Sequence, residues 1–511
     1  MTTSKNFRLT PLALSLLLLS SSNVWADNLT ISETWKMDGW SWNGSTQIFS
    51  NSNKNALIAD GASLKGNSST ATVNFTSSPK INIETEGSFI SNASLGSSGK
   101  QITYSVYNKI GTIKSGAIAF NLTKQGSQIV NLNDVEEVIA NNSSTDPSAG
   151  ARALSIIFTG GGNSSAPKAE QELGSFNLMT LRGTEAGKGF GIVLVDDATS
   201  SSNSCSQYLK TYITNVGTEE FPLDVGVLAQ FKDPGINIFP KGDQTLRHVG
   251  TIYATEAGIV NLSGTGQSNQ WVSSVTDIFV DSSKALTPVP ILAGIAGEAK
   301  SRNGNSTDTS NIRVGQTVKV RNLISVEGSL AKSSEQPASN ISYIKDESQI
   351  NIRAGVLNRG GRQAIESISE NVSGVTIRVG TKSPDESINY AVLVYPLFSQ
   401  SVTTTSGQNG LSKGFSPTDT QLKGSFNVVN GDVAVFGPQA RTAGEEHYLK
   451  VGNVSLTLNN TTRTTEDKQT VIVPSTLTLG GNSNLWVTNR SFDVYAGNGV
   501  ARAGENTIFS L

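Results

Sequence analysis

Few residues of this chain are equipped for acid–base or nucleophilic chemistry. Histidine occurs twice, as His248 in TLRHVG and His447 in GEEHYL, and neither has a second histidine at metal-ligand spacing. Each reads as a solvated or hydrogen-bonded structural residue. The single cysteine, Cys205, sits in the polar stretch SSSNSCSQY, poor surroundings for a Cys–His nucleophile. Adjacent carboxylates occur at Glu136–Glu137, Asp196–Asp197, Glu219–Glu220 and Glu445–Glu446. Neighbours in a strand point to opposite faces, whereas glycoside hydrolysis needs two carboxyl groups across a cleft. Asp196–Asp197, directly after the apolar GIVLV, is the best enzymatic candidate among them. GKGFG at 187–191 and GGG at 160–162 lack the strand-to-helix setting and the Lys-Ser/Thr of a phosphate loop. No catalytic residue, cofactor or metal is expected.

Aromatic residues offer more. TWKMDGWSWNG places Trp35, Trp40 and Trp42 within eight residues. An indole gives a flat face for a sugar ring and an N–H for a hydroxyl, so Trp40 and Trp42 are candidate glycan contacts, while Trp35 also suits a domain core. The surrounding LTISETWKM alternates, with Leu29, Ile31, Trp35 and Met37 on one side. An alternating strand at a free chain end can pair within its own domain or complete a neighbour's sheet, with Leu29, Ile31 and Trp35 as the plugs.

The elements that must position these residues read as strands. Lys5 and Arg8 precede an apolar run from Leu12 to Leu19 and a small-residue exit at Val24–Ala26, so residues 1–26 are expected to be a secretory signal and the rest a soluble exported chain. With 41 acidic and 39 basic residues there is no basic field for nucleic acid. One cysteine permits no internal disulfide, so packing and backbone pairing must supply stability. Fifty glycines and a 36% hydrophobic share fit short strands and turns. VTIRV at 375–379 and VIVPSTLTL at 471–479 alternate, INYAVLVYPLF at 388–398 reads as a strand buried on both faces, and polar turns punctuate them. The class is all-β, as a sandwich or a β-solenoid. One helix is expected, over PKAEQELGSFNLMTLRG, where Leu173, Phe176 and Met179 fall three apart.

NQWVSSVTDIFV at 269–280 returns as NLWVTNRSFDVY at 484–495, each after a strand and a Gly/Ser/Asn turn. This reads as the closing hairpin of a β domain written twice. It predicts domains at 27–281 and 282–511, the second a divergent copy.

The order of these features resembles the chaperone–usher fimbrial subunits and adhesins of enteric bacteria of the K-eighty-eight (F-four) type. The resemblance rests on an N-terminal alternating strand, WSWNG at 40–44, TATVNFTSSPKINIETEGSF at 70–89 and the closing QW hairpin, and covers about residues 27–281. It implies immunoglobulin-like β-sandwich domains, capture by a periplasmic chaperone, passage through an outer-membrane usher, and donor-strand assembly with other fimbrial subunits at the cell surface. It also implies binding of a host glycan or glycoprotein by a helical insertion matching Ala169–Gly183, with Phe176, Met179 and Arg182 as contacts. The chain departs from that family by continuing to Leu511 and by ending in NTIFSL, which lacks an alternating last strand. A non-enzymatic adhesin or fimbrial subunit is therefore the leading expectation. A β-solenoid surface passenger and a secreted polysaccharide-active enzyme are the alternatives.

Overall fold

The computed structural model of the chain describes 109–116, 118–122, 126–141, 154–161, 168–196, 204–231, 241–263, 267–287, 291–299, 313–330, 352–359, 362–371, 374–380, 389–394 and 419–436, with single strands on either side from Leu29–Ile31 to Thr507–Phe509. The class is all-β. Its pairing is parallel almost throughout, which an immunoglobulin-like sandwich, built from antiparallel sheets, would not give. Among the described strands four pairs are antiparallel, beginning with Trp40–Asn43 against Ile48–Asn51.

The parallel pairs fall into three ladders. The first runs through Gly126–Asn131, Lys168–Leu173, the opening parts of Ser204–Val216, Lys241–Ser263, Gln267–Asp281 and Arg313–Glu327, then Arg362–Ser367 and Asp419–Lys423. The second takes Val135–Ala140, Asn177–Gly183, the later parts of the long strands, Val375–Val379 and Ser425–Asn430. The third takes Ser155–Gly161, Phe190–Asp196, Leu223–Phe231, the end of Lys241–Ser263, Ile291–Ala299, Ile352–Asn358 and Asn389–Val394. A parallel pair needs a long crossover, and here the chain makes it by passing through the other two faces before returning one rung on. The result is a three-faced β-solenoid.

The winding continues through the boundary expected at 281/282: Gln267–Asp281 pairs with Arg313–Glu327, and Ala257–Ser263 with Ala293–Ala299. The expected hairpin before it is a parallel pair, Lys241–Ser263 with Gln267–Asp281. The two tryptophan phrases occupy different faces, Trp271 opposite Thr245 in the first ladder and Trp486 opposite Ala434 in the third. The expected helix is two strands, Lys168–Leu173 and Asn177–Gly183, on successive faces. Its three-residue spacing comes from a bend: Leu173 and Phe176 are buried on either side of it, and Met179 points outward.

Alternation along each strand fills the interior with stacked like residues. At the edge of the second face Val216, Ile252, Ile278, Ile324 and Ile377 form one column. Against it stand Gly191, Gly226, Gly258, Gly294 and Gly355 of the third, where a Cβ at each would come within 2.4–2.6 Å of the facing methyl. The corner is as tight as it is because these residues have no side chain. Residues of the third face are buried almost throughout, on its outer side as well as its inner, as the apolar run at Asn389–Val394 predicts.

The first face carries an unexpected interior. Gln128, Gln171, Gln207, Gln244, Gln270, Gln316 and Gln363 all point inward, at most 2% exposed. From Gln171 onward, each donates one amide hydrogen to the preceding glutamine's Oε1 at 2.8–3.0 Å. The Nε2 of every member also donates to a third-face carbonyl at 3.0–3.2 Å. An amide has two donors and one acceptor oxygen, so a stack at the rung spacing satisfies itself along its length. Thr420 closes it by donating to Gln363 at 3.2 Å.

Candidate binding surface

With glutamine turned inward, the residue after it must point out and the next one in. The outward column of the first face therefore reads Ile129, Glu172, Tyr208, Thr245, Trp271, Thr317 and Ala364. Tyr208 is 38% and Trp271 47% exposed, with the smaller Thr245 between them. Two rungs separate the aromatics, roughly 9–10 Å at the spacing of neighbouring strands.

The two flanks of this column differ in charge. On the N-terminal side lie Ser206, Asp243 and Asn269, the Asn269 amide donating to Asp243 at 3.0 Å. On the other side Lys210 and Arg247 are exposed. Lys210 pairs with Glu172 at 2.6 Å, and the Arg247 guanidinium lies 4.9 Å from the centre of the Tyr212 ring. One rung beyond Trp271, Lys319 pairs with Glu366 at 3.3 Å and Arg321 donates to the Ser274 hydroxyl at 3.0 Å.

At the adjoining edge of the second face His248 lies 5.5 Å from the Tyr212 ring. Burial first, and the nearby Arg321 second, push its pKa below the ordinary 6.5. The unfolded chain then binds the proton more readily than the folded one, so this contribution to stability is present above the ordinary value and is lost as pH falls through the depressed one. Urea midpoints should drop more between about pH 7 and about pH 5 in the wild type than in His248→Gln. Equal drops would show that His248 titrates as it does in the unfolded chain.

The expected contact residues are dispersed. Phe176 is buried in the core, 6% exposed, and cannot be a surface contact as it stands. Arg182 lies against its own protein, Nε 2.5 Å from Glu137 and the guanidinium 4.7 Å from the Phe221 ring centre. Met179, 53% exposed on the second face, is the one of the three that is open. Trp40 and Trp42 lie in the strand Trp40–Asn43, whose side chains are outside the described residues, as are Trp35, Asp197 and His447. Leu29 and Ile31 belong to a strand that pairs with Val73–Phe75 of the same chain. Asp196 is buried at the end of its third-face strand, and Cys205 is buried facing Leu122, Ala169, Leu194 and Ala229. Among the described residues no three His, Cys, Asp or Glu side chains group as a metal site would need.

A concavity of about 330 Å³ opens where the second face ends. Tyr253 and Phe279 stack there at 5.3 Å between ring centres, and Lys284, Arg378, Glu219, Asp281 and Glu327 surround them. Burial, then Glu219 and Asp277, push the Tyr253 phenol above its ordinary pKa. Its two cations and three acids nearly balance, so it has no strong preference for the charge of a ligand. The first-face column differs from it in having two separated rings with its cations on one flank. No protein-family model, curated protein or solved structure matches the chain.

Proposed function

We propose that this chain is an exported, non-catalytic β-solenoid that acts in adhesion at a bacterial surface by binding glycans along its first face. The observation that carries the reading is the outward pair Tyr208 and Trp271, exposed and held two rungs apart by the ladder. Two such rings aligned in one outward column offer flat apolar faces together, and a ring with a polar edge suits the apolar face and the hydroxyls of a sugar. Each ring is anchored by inward neighbours on both sides, Gln207 and Leu209 for Tyr208, Gln270 and Val272 for Trp271. A ligand therefore meets a surface already in place, with little ordering left to do. The solenoid passenger weighed from the sequence accommodates this arrangement without a donor strand.

The test is a glycan-binding screen with the exported chain, followed by Tyr208→Ala and Trp271→Ala. Each substitution is expected to weaken binding about five- to tenfold, and the pair more, with an unchanged far-UV spectrum and melting temperature. Binding that survives the double substitution would move the site elsewhere. A chain that binds no glycan would end the reading.

A further inference from the structure

Resting on the glycan-binding reading of this face, we propose that its ligand is a linear anionic polysaccharide lying parallel to the coil axis, its carboxylate or sulfate groups turned toward Lys210, Arg247 and Lys319. The direction follows from the rungs. Along any one strand the outward neighbours of Tyr208 are Ser206 and Lys210, and those of Trp271 are Asn269 and Ser273, so a chain laid across the first face would meet a single ring there; the next ring, Tyr212, lies past the corner on the second face, under Arg247 and beside His248. A chain laid along the axis meets both. Their separation, roughly 9–10 Å at two rungs, is close to the repeat of two sugar rings in an extended, equatorially linked chain, so the rings stack on alternate sugars.

The charge follows from the flanks. Rungs passing through Tyr208, Thr245 and Thr317 each place a cation two residues further on, Lys210, Arg247 and Lys319, with Arg321 behind. The named partners of Arg247 and Arg321 are a ring and a hydroxyl, both neutral, so these guanidinium groups keep their charge toward an approaching anion. The exposed pair Lys210–Glu172 contributes little and exchanges readily for a ligand anion, whereas Lys319, held by the more buried Glu366, adds less. The opposite flank, Ser206, Asp243 and Asn269, presents groups that bond hydroxyls and would repel a second row of anions. Glu172 and Glu366 stand one rung beyond each end of the stretch. They bound it to four rungs, about 14 Å from first to last, enough for about four sugars.

Four probes test this by titration calorimetry on the full chain: hyaluronan tetrasaccharide and disaccharide, chondroitin sulfate tetrasaccharide, and neutral cellotetraose. The expected result is that at least one anionic tetrasaccharide binds at least about tenfold more tightly than cellotetraose and weakens as salt rises, since exposed charges are screened. Preference for hyaluronan would assign carboxylate, and for chondroitin sulfate, sulfate, as the group recognised. Lys210→Ala with Arg247→Ala should remove about tenfold of the preferred anionic probe's affinity and much less of cellotetraose's, while Trp271→Ala weakens both to a similar extent. Equal binding of neutral and anionic tetrasaccharides would overturn the charge assignment and leave the glycan reading standing. Hyaluronan disaccharide binding as tightly as its tetrasaccharide would overturn the axial lie. Failure of every probe, with no ligand in the broader screen, would remove the glycan reading itself.

Discussion

Gln270→Leu is expected to destabilise the middle of the coil by about 2–5 kcal/mol, because it removes one amide and strands parts of two others. Gln270 donates to Gln244 Oε1 at 2.8 Å and to the Val260 carbonyl at 3.0 Å, and accepts from Gln316 Nε2 at 2.8 Å. Leucine leaves the Gln244 oxygen without that donor and Gln316 with one acceptor fewer, in an interior where water cannot replace them. Gln128→Leu, at the ladder's N-terminal end, should cost less, since it sits beside one glutamine instead of two. The double variant Gln244→Leu with Gln270→Leu should cost less than the sum of the two singles, because the stranded pair is removed together. Gln270→Glu should be harsher near neutral pH, where an ionised carboxylate faces the Gln244 oxygen and the Val260 carbonyl and can donate to neither. Its buried carboxyl would titrate above its unfolded value, so the loss is smallest at low pH and grows as pH rises through the raised value. A solenoid unfolds as neighbouring repeats, so hydrogen exchange across adjacent rungs is the measurement, with urea midpoints beside it. Unaltered protection in Gln270→Leu would mean that the ladder fills space without contributing stability.

That ladder also explains what could and could not be read from the sequence. Strands were legible: VTIRV is strand Val375–Val379 with alternate burial, and INYAVLVYPLF contains Asn389–Val394, buried on both sides. Their partners were not, because alternation records which face a side chain takes and is silent on whether the neighbouring strand is parallel. The Gly/Ser/Asn turn before Trp271 reads as a hairpin, yet the strands on either side of it, Lys241–Ser263 and Gln267–Asp281, pair in parallel. The true repeat is hidden by unequal insertions: successive ladder partners lie 43, 36, 37, 26, 46, 47 and 57 residues apart. No fixed period survives that spread. What persists is a glutamine two residues before a buried Val, Leu or Ile, as in Gln207–Leu209, Gln244–Leu246 and Gln316–Val318.

The outward aromatic pair was missed for the same reason. Polar residues are ordinarily placed outside and aromatic ones inside, and on the first face that assignment is inverted, since an amide stack can bury itself when every member has a partner. Once Gln207 and Gln270 are known to point inward, Tyr208 and Trp271 must point outward. Trp271 had drawn attention through its likeness to Trp486, a match of strand chemistry between two different faces. Met179 was anticipated and is exposed, but through a helix that does not form; Phe176 and Arg182, taken from the same pattern, are held by their own protein.

Gly258→Ala is expected to cost about 2–4 kcal/mol, although alanine is ordinarily the milder residue for a strand. Its methyl would sit 2.4 Å from Ile278 Cγ2 and 2.6 Å from the Gly294 carbonyl oxygen, distances at which the backbone of the next rung must move. Gly294 and Gly355 repeat the arrangement against Ile324 and Ile377, so displacement at one rung is passed to its neighbours. Ile278→Ala should not rescue the variant: it clears the methyl, leaves the carbonyl in place and opens a cavity of its own. Gly315→Ala is the control, because its Cβ would meet only the Asn269 side chain, at 2.8 Å for Oδ1, and an exposed amide can turn aside; its cost should stay below about 1 kcal/mol. The column ends at Ala391, where a methyl is accepted. There the register shifts, so Asp432 opposes Tyr390 and Val433 opposes Val392. Equal urea midpoints for Gly258→Ala and Gly315→Ala would show that the corner has slack, and the close approach of the glycine and isoleucine columns would then not be what sets the turn between the second and third faces.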